Sequence, residues 1–243
     1  METKALRDLW QLAFGDSEEF IGFFFDTAYA PERCCSLTVD GTIAAALYWL
    51  DAEYAGQKLA YIYAVATHPD FRNQGLCRKL MEKTHTLLSV QGYTGTLLMP
   101  AGEGLRQMYA KMGYRECCAV TEFSCTAGKP IPVRSVGKTE YTLLRRKFLP
   151  PEGVIQEGPS IDYLSSYSQF YTGENFLLCA AADQDQLHGI ELLGDPDAAP
   201  DILSALGYTH GSFRTPGRDI PFVMFRPLRD EAKPPAYCGL VFD

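Results

Sequence analysis

One stretch of this chain constrains its fold more than any other. The run Leu59–Thr67, LAYIYAVAT, is rich in apolar and aromatic residues along its whole length. A strand without polar alternation is typical of a central strand that is buried on both faces. A polar turn follows at residues 68–75, and Leu76, Leu80 and Leu87 then recur at helical spacing. The sequence therefore predicts a buried strand, a short polar loop and a helix in direct succession.

The segments around this unit predict a mixed α/β domain. Helical spacing marks Lys4–Phe14, which Gly15 ends, and Asp16 with Glu19 predicts a capping box for a second helix. Asp40-Gly41 predicts a hairpin before the buried strand. The other predicted elements are the strands Cys34–Val39, Thr42–Leu50 and Thr96–Met99, the helix Gly104–Met112 and a strand-like run over 114–125. The predicted order is helix, helix, three strands, helix, strand, helix, strand.

A boundary and a weak repeat predict a second domain. Residues 127–137 hold two prolines and two glycines without periodicity, which is typical of a linker. A later strand–turn–helix segment ends at Gly207-Tyr208, as the one in the first half ends at Gly113-Tyr114. Strand-like runs flank this later segment at Phe176–Ala181, Ile220–Phe225 and Tyr237–Phe242. We therefore expect two related domains, residues 1–127 and 128–243.

Charge and hydropathy exclude several classes of protein. The 243 residues carry 22 Lys and Arg against 30 Asp and Glu, a net charge of −8, without a basic block. Nucleic acids and anionic membranes bind clustered Lys and Arg, so we expect neither as a partner. No apolar run approaches the ~18 residues that a bilayer-spanning helix needs, and the first residues lack the pattern of a secretory signal. We expect a cytoplasmic protein, monomeric or homodimeric.

The cysteines and histidines do not predict a metal site. The eight cysteines include two adjacent pairs and no CxxC, and the four histidines are not spaced with them as zinc ligands would be. Secreted disulfide scaffolds are smaller and denser in cysteine. We therefore expect reduced, mostly buried thiols and no metal.

The loop before the third predicted helix has the chemistry of an anion site. A helix that begins near Leu76 presents free backbone N–H groups and the positive end of its dipole, and both attract phosphate. Gly75 lets the backbone approach a ligand closely, and Arg72 and Arg78 add positive charge. Taken alone, Gly75 is better explained as a turn glycine, and Arg72 is equally a surface cap or a salt-bridge partner.

The run Arg72-Asn73-Gln74-Gly75-Leu76-Cys77 resembles a known signature. It is similar to Q/R-x-x-G-x-G/A, the pyrophosphate-binding motif of the GNAT acetyltransferase superfamily, although Cys77 stands where Gly or Ala is usual. Further on, MYAKMGY at residues 108–114 resembles the family's late helix, F/Y-Y-x-K-x-G-F/Y. The resemblance covers residues 5–125. It implies a GNAT fold, a mixed central sheet flanked by helices, followed by a second GNAT-like domain, as in the tandem aminoglycoside acetyltransferases of the enhanced-intracellular-survival type.

The resemblance also implies a function: transfer of an acetyl group from acetyl-CoA to a primary amine by direct attack. The pyrophosphate would lie on the backbone N–H groups of Asn73 to Arg78, and the pantetheine arm would pair with the edge of the buried strand. A backbone N–H of that strand would polarise the thioester carbonyl. Tyr109 would protonate the departing thiolate. The cofactor-binding residues so implied are Val65, Ala66, Thr67, Arg72, Asn73, Gln74, Gly75, Leu76, Cys77 and Arg78.

The acceptor and its general base stay open. The acceptor is a small molecule or a peptide with an amine. The base is a Glu, a water chain or, as in the aminoglycoside branch, the C-terminal carboxylate, here at Asp243. Six carboxylates occur over residues 183–201 without a Lys or Arg, either as a docking surface for a cationic acceptor or as a solvated loop and helix start. They are Asp183, Asp185, Glu191, Asp195, Asp197 and Asp201.

Two rival functions remain at this point. The first is a non-catalytic acyl-CoA-binding regulatory module, which would keep the phosphate loop without turnover. The second is aminoacyl transfer from tRNA, against which the acidic charge argues. Residues 128–243 contain no R-x-x-G-x-G/A, so we expect a degenerate domain that shapes the acceptor site.

Overall fold

A computed structural model describes residues 2–242, which divide into two compact units. Unit 1 contains the chain up to Arg115 together with Phe225–Pro234. Unit 2 contains Glu116–Met224 together with the residues from Pro235 onward. The boundaries of these units follow the contacts within the fold. The predicted domains, residues 1–127 and 128–243, are based on the sequence repeat, and this division stays a prediction.

Unit 1 has the predicted order of elements from the first helix to the fourth, and the strand predicted after that helix lies in unit 2. The elements of unit 1 are α1 (Glu2–Phe14), α2 (Glu18–Thr27), β1 (Cys34–Val39), β2 (Thr42–Tyr54), β3 (Gln57–Thr67), α3 (Leu76–Val90), β4 (Gly95–Leu98) and α4 (Glu103–Ala110). β1, β2 and β3 pair antiparallel, and β4 is parallel to β3. The predicted burial of the central strand holds for residues 59–62, while residues 63–65 are only partly buried. α1 packs on β2 and β3 through an aromatic cluster in which the Trp10 ring lies 5.1 Å from Phe24 and 5.5 Å from Tyr48.

The start of α2 corrects the predicted capping box. The residue that caps this helix is Ser17, whose hydroxyl accepts the N–H of Phe20 at 3.1 Å. Asp16 instead accepts the indole N–H of Trp10 at 2.7 Å. A buried indole needs an acceptor, so Asp16 serves the core rather than the helix end. Gly15 does end α1, in the left-handed conformation with φ at 79°.

Unit 2 contains the remaining strands and helices. They are β5 (Arg115–Thr126), β6 (Arg134–Val136), α5 (Lys138–Phe148), α6 (Pro159–Tyr167), β7 (Gln169–Thr172), β8 (Phe176–Asp183), β9 (Gln186–Gly194), α7 (Ala199–Leu206), β10 (His210–Pro216) and β11 (Ile220–Pro227). The strand order in this unit is β5-β10-β9-β8-β7-β6, in which only β9 and β10 are parallel. The last residues of β11, from Phe225 on, belong to unit 1.

Two predicted segments of unit 2 differ in the structure. The stretch 127–137 is not wholly a linker, because β6 lies within it and pairs with β7. The run Tyr237–Phe242 is not a strand; Tyr237 forms an isolated bridge with Gly153. Its apolar residues are nevertheless buried, so their hydrophobicity reflects the core of unit 2 rather than a place in the sheet.

The two units share a strand–helix–strand frame. In each, three antiparallel strands are followed by a helix and by a strand parallel to the third: β3-α3-β4 in unit 1 and β9-α7-β10 in unit 2. Each frame also has a register shift where its second and third strands pair, near Leu47 and near Cys179. The repeat predicted from the sequence is therefore present.

The register of that repeat differs from the prediction. Because α7 occupies the place of α3, the counterpart of Gly207-Tyr208 is Gly92-Tyr93 and not Gly113-Tyr114. The N–H of Tyr93 donates to Leu88 at 3.0 Å, and that of Tyr208 to Leu203 at 2.9 Å. The glycine before each tyrosine has a φ near 80°, at 84° and 82°. A left-handed glycine ends helices of many kinds, so Gly-Tyr alone did not distinguish the two candidates.

Glu191 fits neither interpretation of the acidic stretch, a docking surface or a solvated loop and helix start. Its side chain is fully buried and accepts two hydrogen bonds from Arg145, at 2.7 Å from Nε and 2.9 Å from Nη2. The hydroxyl of Tyr237 donates to the same carboxylate at 3.0 Å. Glu191 is therefore part of an ionic core in unit 2 and neither docks a partner nor meets solvent. Exposed members of the stretch are Asp183, Asp185, Asp195 and Asp197.

Several sequence expectations concern absences or thiols. No helix within residues 2–242 is both long and apolar enough to cross a membrane. The same residues hold no group of three or more His, Cys, Asp or Glu that could bind a metal ion. All eight cysteines are free, and four of them are buried: Cys35, Cys118, Cys179 and Cys238.

Candidate active site

A cavity of about 580 Å³ in unit 1 collects most of the predicted site. It is lined by the end of β3, the loop after it, the first turn of α3 and one face of α4. All the predicted cofactor-binding residues except Gln74 line it, together with Tyr109. The side-chain amide of Gln74 donates instead to the carbonyl of Asp70 at 3.3 Å. The two motifs of the sequence therefore meet in one place.

The loop before α3 has the backbone of an anion site. Gly75 caps α3 in the left-handed conformation, with φ at 74°, and Asn73 also has a positive φ of 61°. A Cβ on Gly75 would meet no atom within 4 Å, so open space lies beside this residue. The first helical bond runs from Lys79 to the carbonyl of Gly75 at 3.1 Å, which leaves the N–H groups of residues 76–78 without intrahelical acceptors.

Arg72 and Arg78 place positive charge at this helix end. Both are exposed, and the Nε of Arg72 donates to the carbonyl of Thr67 at 3.3 Å. That bond ties the loop to the last residue of β3. The dipole of α3 adds to the same positive potential. His68 helps to shape the loop, since its Nδ1 accepts the N–H of Asp70 at 3.2 Å.

The end of β3 lies beyond its pairing with β4. The two strands pair at Leu59–Tyr61, whereas Val65–Thr67 continue past this ladder and line the cavity. Ala64 has a positive φ of 47° beside the register shift between β2 and β3. Such a bulge turns a strand locally and re-aims its backbone groups. The predicted pantetheine edge is therefore a strand segment that β4 does not cover.

Tyr109 and Cys77 form the buried part of the cavity wall. Tyr109 is only 6% exposed, and burial raises the pKa of its phenol well above the ordinary value, with Cys77 and Tyr114 adding to the rise. Burial also raises the pKa of the Cys77 thiol, against the opposing effect of Arg78. Both groups keep their protons at neutral pH. Cys77 is therefore a poor nucleophile, and Tyr109 carries a proton, although its raised pKa makes it a weaker acid than a free phenol.

Sequence reasoning missed the apolar part of the wall. It consists of Ala13, Phe14, Phe71, Leu105, Met108 and Met112. Phe14 at the end of α1 is 47% exposed, and Leu105 is 41% exposed. Large apolar side chains at the open end of an amphipathic helix were the available signal, because such residues mark ligand sites as well as cores.

Fold and cavity together define the class: a GNAT fold with a second GNAT-like domain, as the sequence predicted. Residues 1–117 match the family model described as Acetyltransferase (GNAT) domain. No curated protein matches the chain significantly. Solved structures match the chain, but at sequence identities so low that they show only a shared fold.

Three of these structures illustrate the likeness. The GCN5-related N-acetyltransferase from Anabaena variabilis ATCC 29413 has a TM-score of 0.71 at 14% identity, covering 94% of this chain and 71% of its own. The one from Kribbella flavida has a TM-score of 0.67 at 15% identity, with coverages of 93% and 68%. A tandem GNAT protein from the clavulanic acid biosynthesis pathway has a TM-score of 0.55 at 12% identity, with coverages of 94% and 95%. Residues 1–117 therefore match a GNAT acetyltransferase domain, and the chain as a whole shares its fold with GNAT structures that include a tandem one.

Proposed function

We propose that the protein transfers an acetyl group from acetyl-CoA to a primary amine by direct attack. The observation that supports this most is the single cavity that joins the loop 72–78 to Tyr109. The cavity therefore offers a polar, positively charged end for an anion and a buried phenol near an apolar wall. Those are the two requirements of a thioester substrate that carries a pyrophosphate.

The residues around α3 fit the pyrophosphate of acetyl-CoA. The unpaired N–H groups of residues 76–78 are donors for phosphate oxygens, and the open space beside Gly75 allows the backbone to come close. Arg72 and Arg78 supply the matching charge. The uncovered edge of Val65–Thr67 is proposed to pair with the amides of the pantetheine arm, and one of its N–H groups to polarise the thioester carbonyl.

The proposed chemistry balances without a covalent enzyme intermediate. The neutral amine attacks the thioester carbonyl carbon, a C–N bond forms and the C–S bond breaks. Tyr109 gives its proton to the departing sulfur, and the amine loses a proton to a base, from which Tyr109 is reprotonated through solvent. Tyr109 is protonated before each turnover because the pKa of a phenol lies above neutral pH, and burial raises that pKa further. Cys77 stays a thiol and takes no acetyl group.

The acceptor class and the base remain part of the proposal. The acceptor is a small molecule or a peptide with an amine, and the unit without the loop is proposed to contribute to its selection. One candidate for the base, the carboxylate of Asp243, lies outside the described residues. The preceding residue, Phe242, is buried in unit 2.

Replacement of Tyr109 by Phe tests the function. Release of CoA from acetyl-CoA is followed with a thiol reagent, using as acceptors an arylamine, a polyamine, an aminoglycoside and a peptide with a free α-amine. Loss of a general acid is expected to lower turnover roughly 100-fold. Acetyl-CoA affinity, measured by calorimetry, should stay the same because the phenol does not bind the pyrophosphate.

Tyr93→Phe is the control, since it likewise removes the hydroxyl of a buried tyrosine, at a residue that does not line the cavity. Equal turnover in Tyr109→Phe and the wild type would remove the acid role. Tight binding of acetyl-CoA without turnover of any amine would support the regulatory module instead.

A further inference from the structure

Tyr114 follows the candidate general acid along the chain and is locked to it through the backbone. After α4 the chain turns at Gly113, whose φ is 88°, and the N–H of Tyr114 donates to the carbonyl of Tyr109 at 3.1 Å. The N–H of Met112 donates to the same carbonyl at 2.9 Å. The two tyrosine rings meet edge to face, with centroids 5.7 Å apart and planes at 66°. The position of the Tyr109 ring therefore depends on the position of the Tyr114 ring.

The hydroxyl of Tyr114 is held at a buried junction of three elements. It lies 2.8 Å from Oγ1 of Thr96 on β4 and 2.9 Å from Nε2 of His85 on α3. Tyr114 is 2% exposed, His85 5% and Thr96 fully buried. The junction ties the ring of Tyr114 to the same helix whose first turn lines the cavity.

The direction of the protons at this junction follows from Arg226. Nη1 of Arg226 donates to Nδ1 of His85 at 2.6 Å, because a guanidinium is a donor only. The proton of the neutral imidazole is then on Nε2 and is donated to the Tyr114 oxygen. The hydroxyl proton of Tyr114 is left for Thr96. Burial, followed by the charge of Arg226, lowers the pKa of His85 to about 3, so this arrangement holds across the working pH range.

We propose that Tyr114 is a positioning residue for catalysis: its hydroxyl, fixed between His85 and Thr96, holds the ring against which Tyr109 is aligned. The inference rests on the proposed function, since it assigns a task that exists only where Tyr109 donates a proton. A phenol that must reach a departing sulfur needs a fixed ring, and Tyr109 stands in the last turn of a short helix. Packing against Tyr114 supplies the constraint that the helix end lacks.

Tyr114→Phe tests this inference because the ring remains while the hydroxyl is lost. A misplacement of the proton donor by a fraction of an ångström is expected to lower kcat by roughly ten- to a hundredfold. The KM for acetyl-CoA and its Kd by calorimetry should change less than twofold, because the loop 72–78 is untouched. Tyr93→Phe is the control for the loss of a buried hydroxyl, since Tyr93 donates to Asp51 and accepts from Trp49 away from the cavity. Its kcat should match the wild type.

A double-mutant cycle separates positioning from general loss of structure. In the Tyr109→Phe background no phenol remains to be aligned, so the added Tyr114→Phe change should leave kcat unchanged. The same fold-loss in both backgrounds would overturn the positioning role while leaving the function of Tyr109 intact. Wild-type kcat in Tyr114→Phe would do so as well. No effect of Tyr109→Phe, or no amine turnover by the wild type, would overturn the proposed function and this inference with it.

Discussion

The frame β3-α3-β4 of unit 1 and the frame β9-α7-β10 of unit 2 differ mainly in one loop. In unit 1 the loop before the helix spans residues 68–75, and in unit 2 it spans residues 195–198. Both loops begin with a short turn that starts at a proline, Pro69 and Pro196. In both, the residue before the proline accepts an N–H two residues on, at 3.2 Å for His68 and 3.0 Å for Asp195. Unit 2 lacks the residues that follow this turn in unit 1.

The missing residues correspond to those proposed to form the anion site of unit 1. Where unit 1 has Arg72 and Arg78 around the start of its helix, unit 2 has Asp195, Asp197 and Asp201. Carboxylates at a helix N-terminus are favourable for the helix itself and repel an incoming phosphate. Unit 2 keeps the frame without the residues of the proposed site, so the frame alone does not predict acetyl-CoA binding.

The two units also differ at the place where their parallel strands, β3 with β4 and β9 with β10, stop pairing. In unit 1 the free end of β3 lines the cavity with α4. In unit 2 the hydroxyl of Thr215 on β10 donates to the carbonyl of Leu192 on β9 at 2.8 Å, so a side chain continues the link between the two strands. The edge proposed to take the pantetheine arm in unit 1 is thus bridged in unit 2.

The largest expected effect comes from charge in the loop of unit 1. Gly75→Glu would place a carboxylate beside the pyrophosphate, and like charges about 4 Å apart repel by about 4 kcal/mol near a protein surface. This corresponds to roughly a thousandfold loss of acetyl-CoA affinity, measured by calorimetry. Gly207→Glu is the matched control, because Gly207 has the same open surroundings and a φ of 82° in the frame of unit 2.

The control should bind acetyl-CoA as the wild type does, with one site per chain. Unchanged affinity in Gly75→Glu would break the assignment of the loop. Two sites per wild-type chain would break the comparison between the units.

A smaller effect, on stability rather than binding, is expected from the ionic core of unit 2. Glu191→Gln leaves Arg145 buried without its counter-charge, and breaking a buried pair costs about 3–5 kcal/mol. Urea unfolding measures the loss. Glu122→Gln, which removes the carboxylate from a more exposed pair with Arg214, should cost about 1 kcal/mol or less. Similar losses in the two variants would show that Glu191 is not part of a charged core.

The smallest effect is expected from Thr215→Val. The change removes the donor to Leu192 at nearly constant shape, and leaving one carbonyl unpaired costs about 1 kcal/mol. The unfolding midpoint should fall accordingly, and the number of acetyl-CoA sites should stay at one. A second site in this variant would mean that the bridge alone had kept unit 2 from binding.

Local patterns in the sequence predicted the order of elements in unit 1 and the start of α3 at Leu76. They succeeded because the apolar run of β3, the polar loop and the helical spacing each depend on neighbouring residues. The loop was predicted for the same reason, since a helix N-terminus after a glycine is a local structure.

What the sequence did not predict depends on distant partners. Glu191 is buried because Arg145, far along the chain, meets it, and no local pattern distinguishes it from the exposed aspartates near it. Asp16 does not cap α2 as predicted, because its carboxylate accepts the indole N–H of Trp10. His85, within α3, is buried between Tyr114, which follows α4, and Arg226 on β11.

Arg226 has a consequence for how the protein is made. It belongs to the segment Phe225–Pro234, which completes unit 1 only after all of β5–β10 has been synthesised. At roughly 5–20 residues per second, the ribosome delivers it several seconds after Arg115. During that interval His85 lacks its cationic partner, and the last part of β11 is missing from the first unit. The first unit is therefore completed only when the segment Phe225–Pro234 has been synthesised. A fragment that ends at residue 117 would lack this segment and the contact between Arg226 and His85.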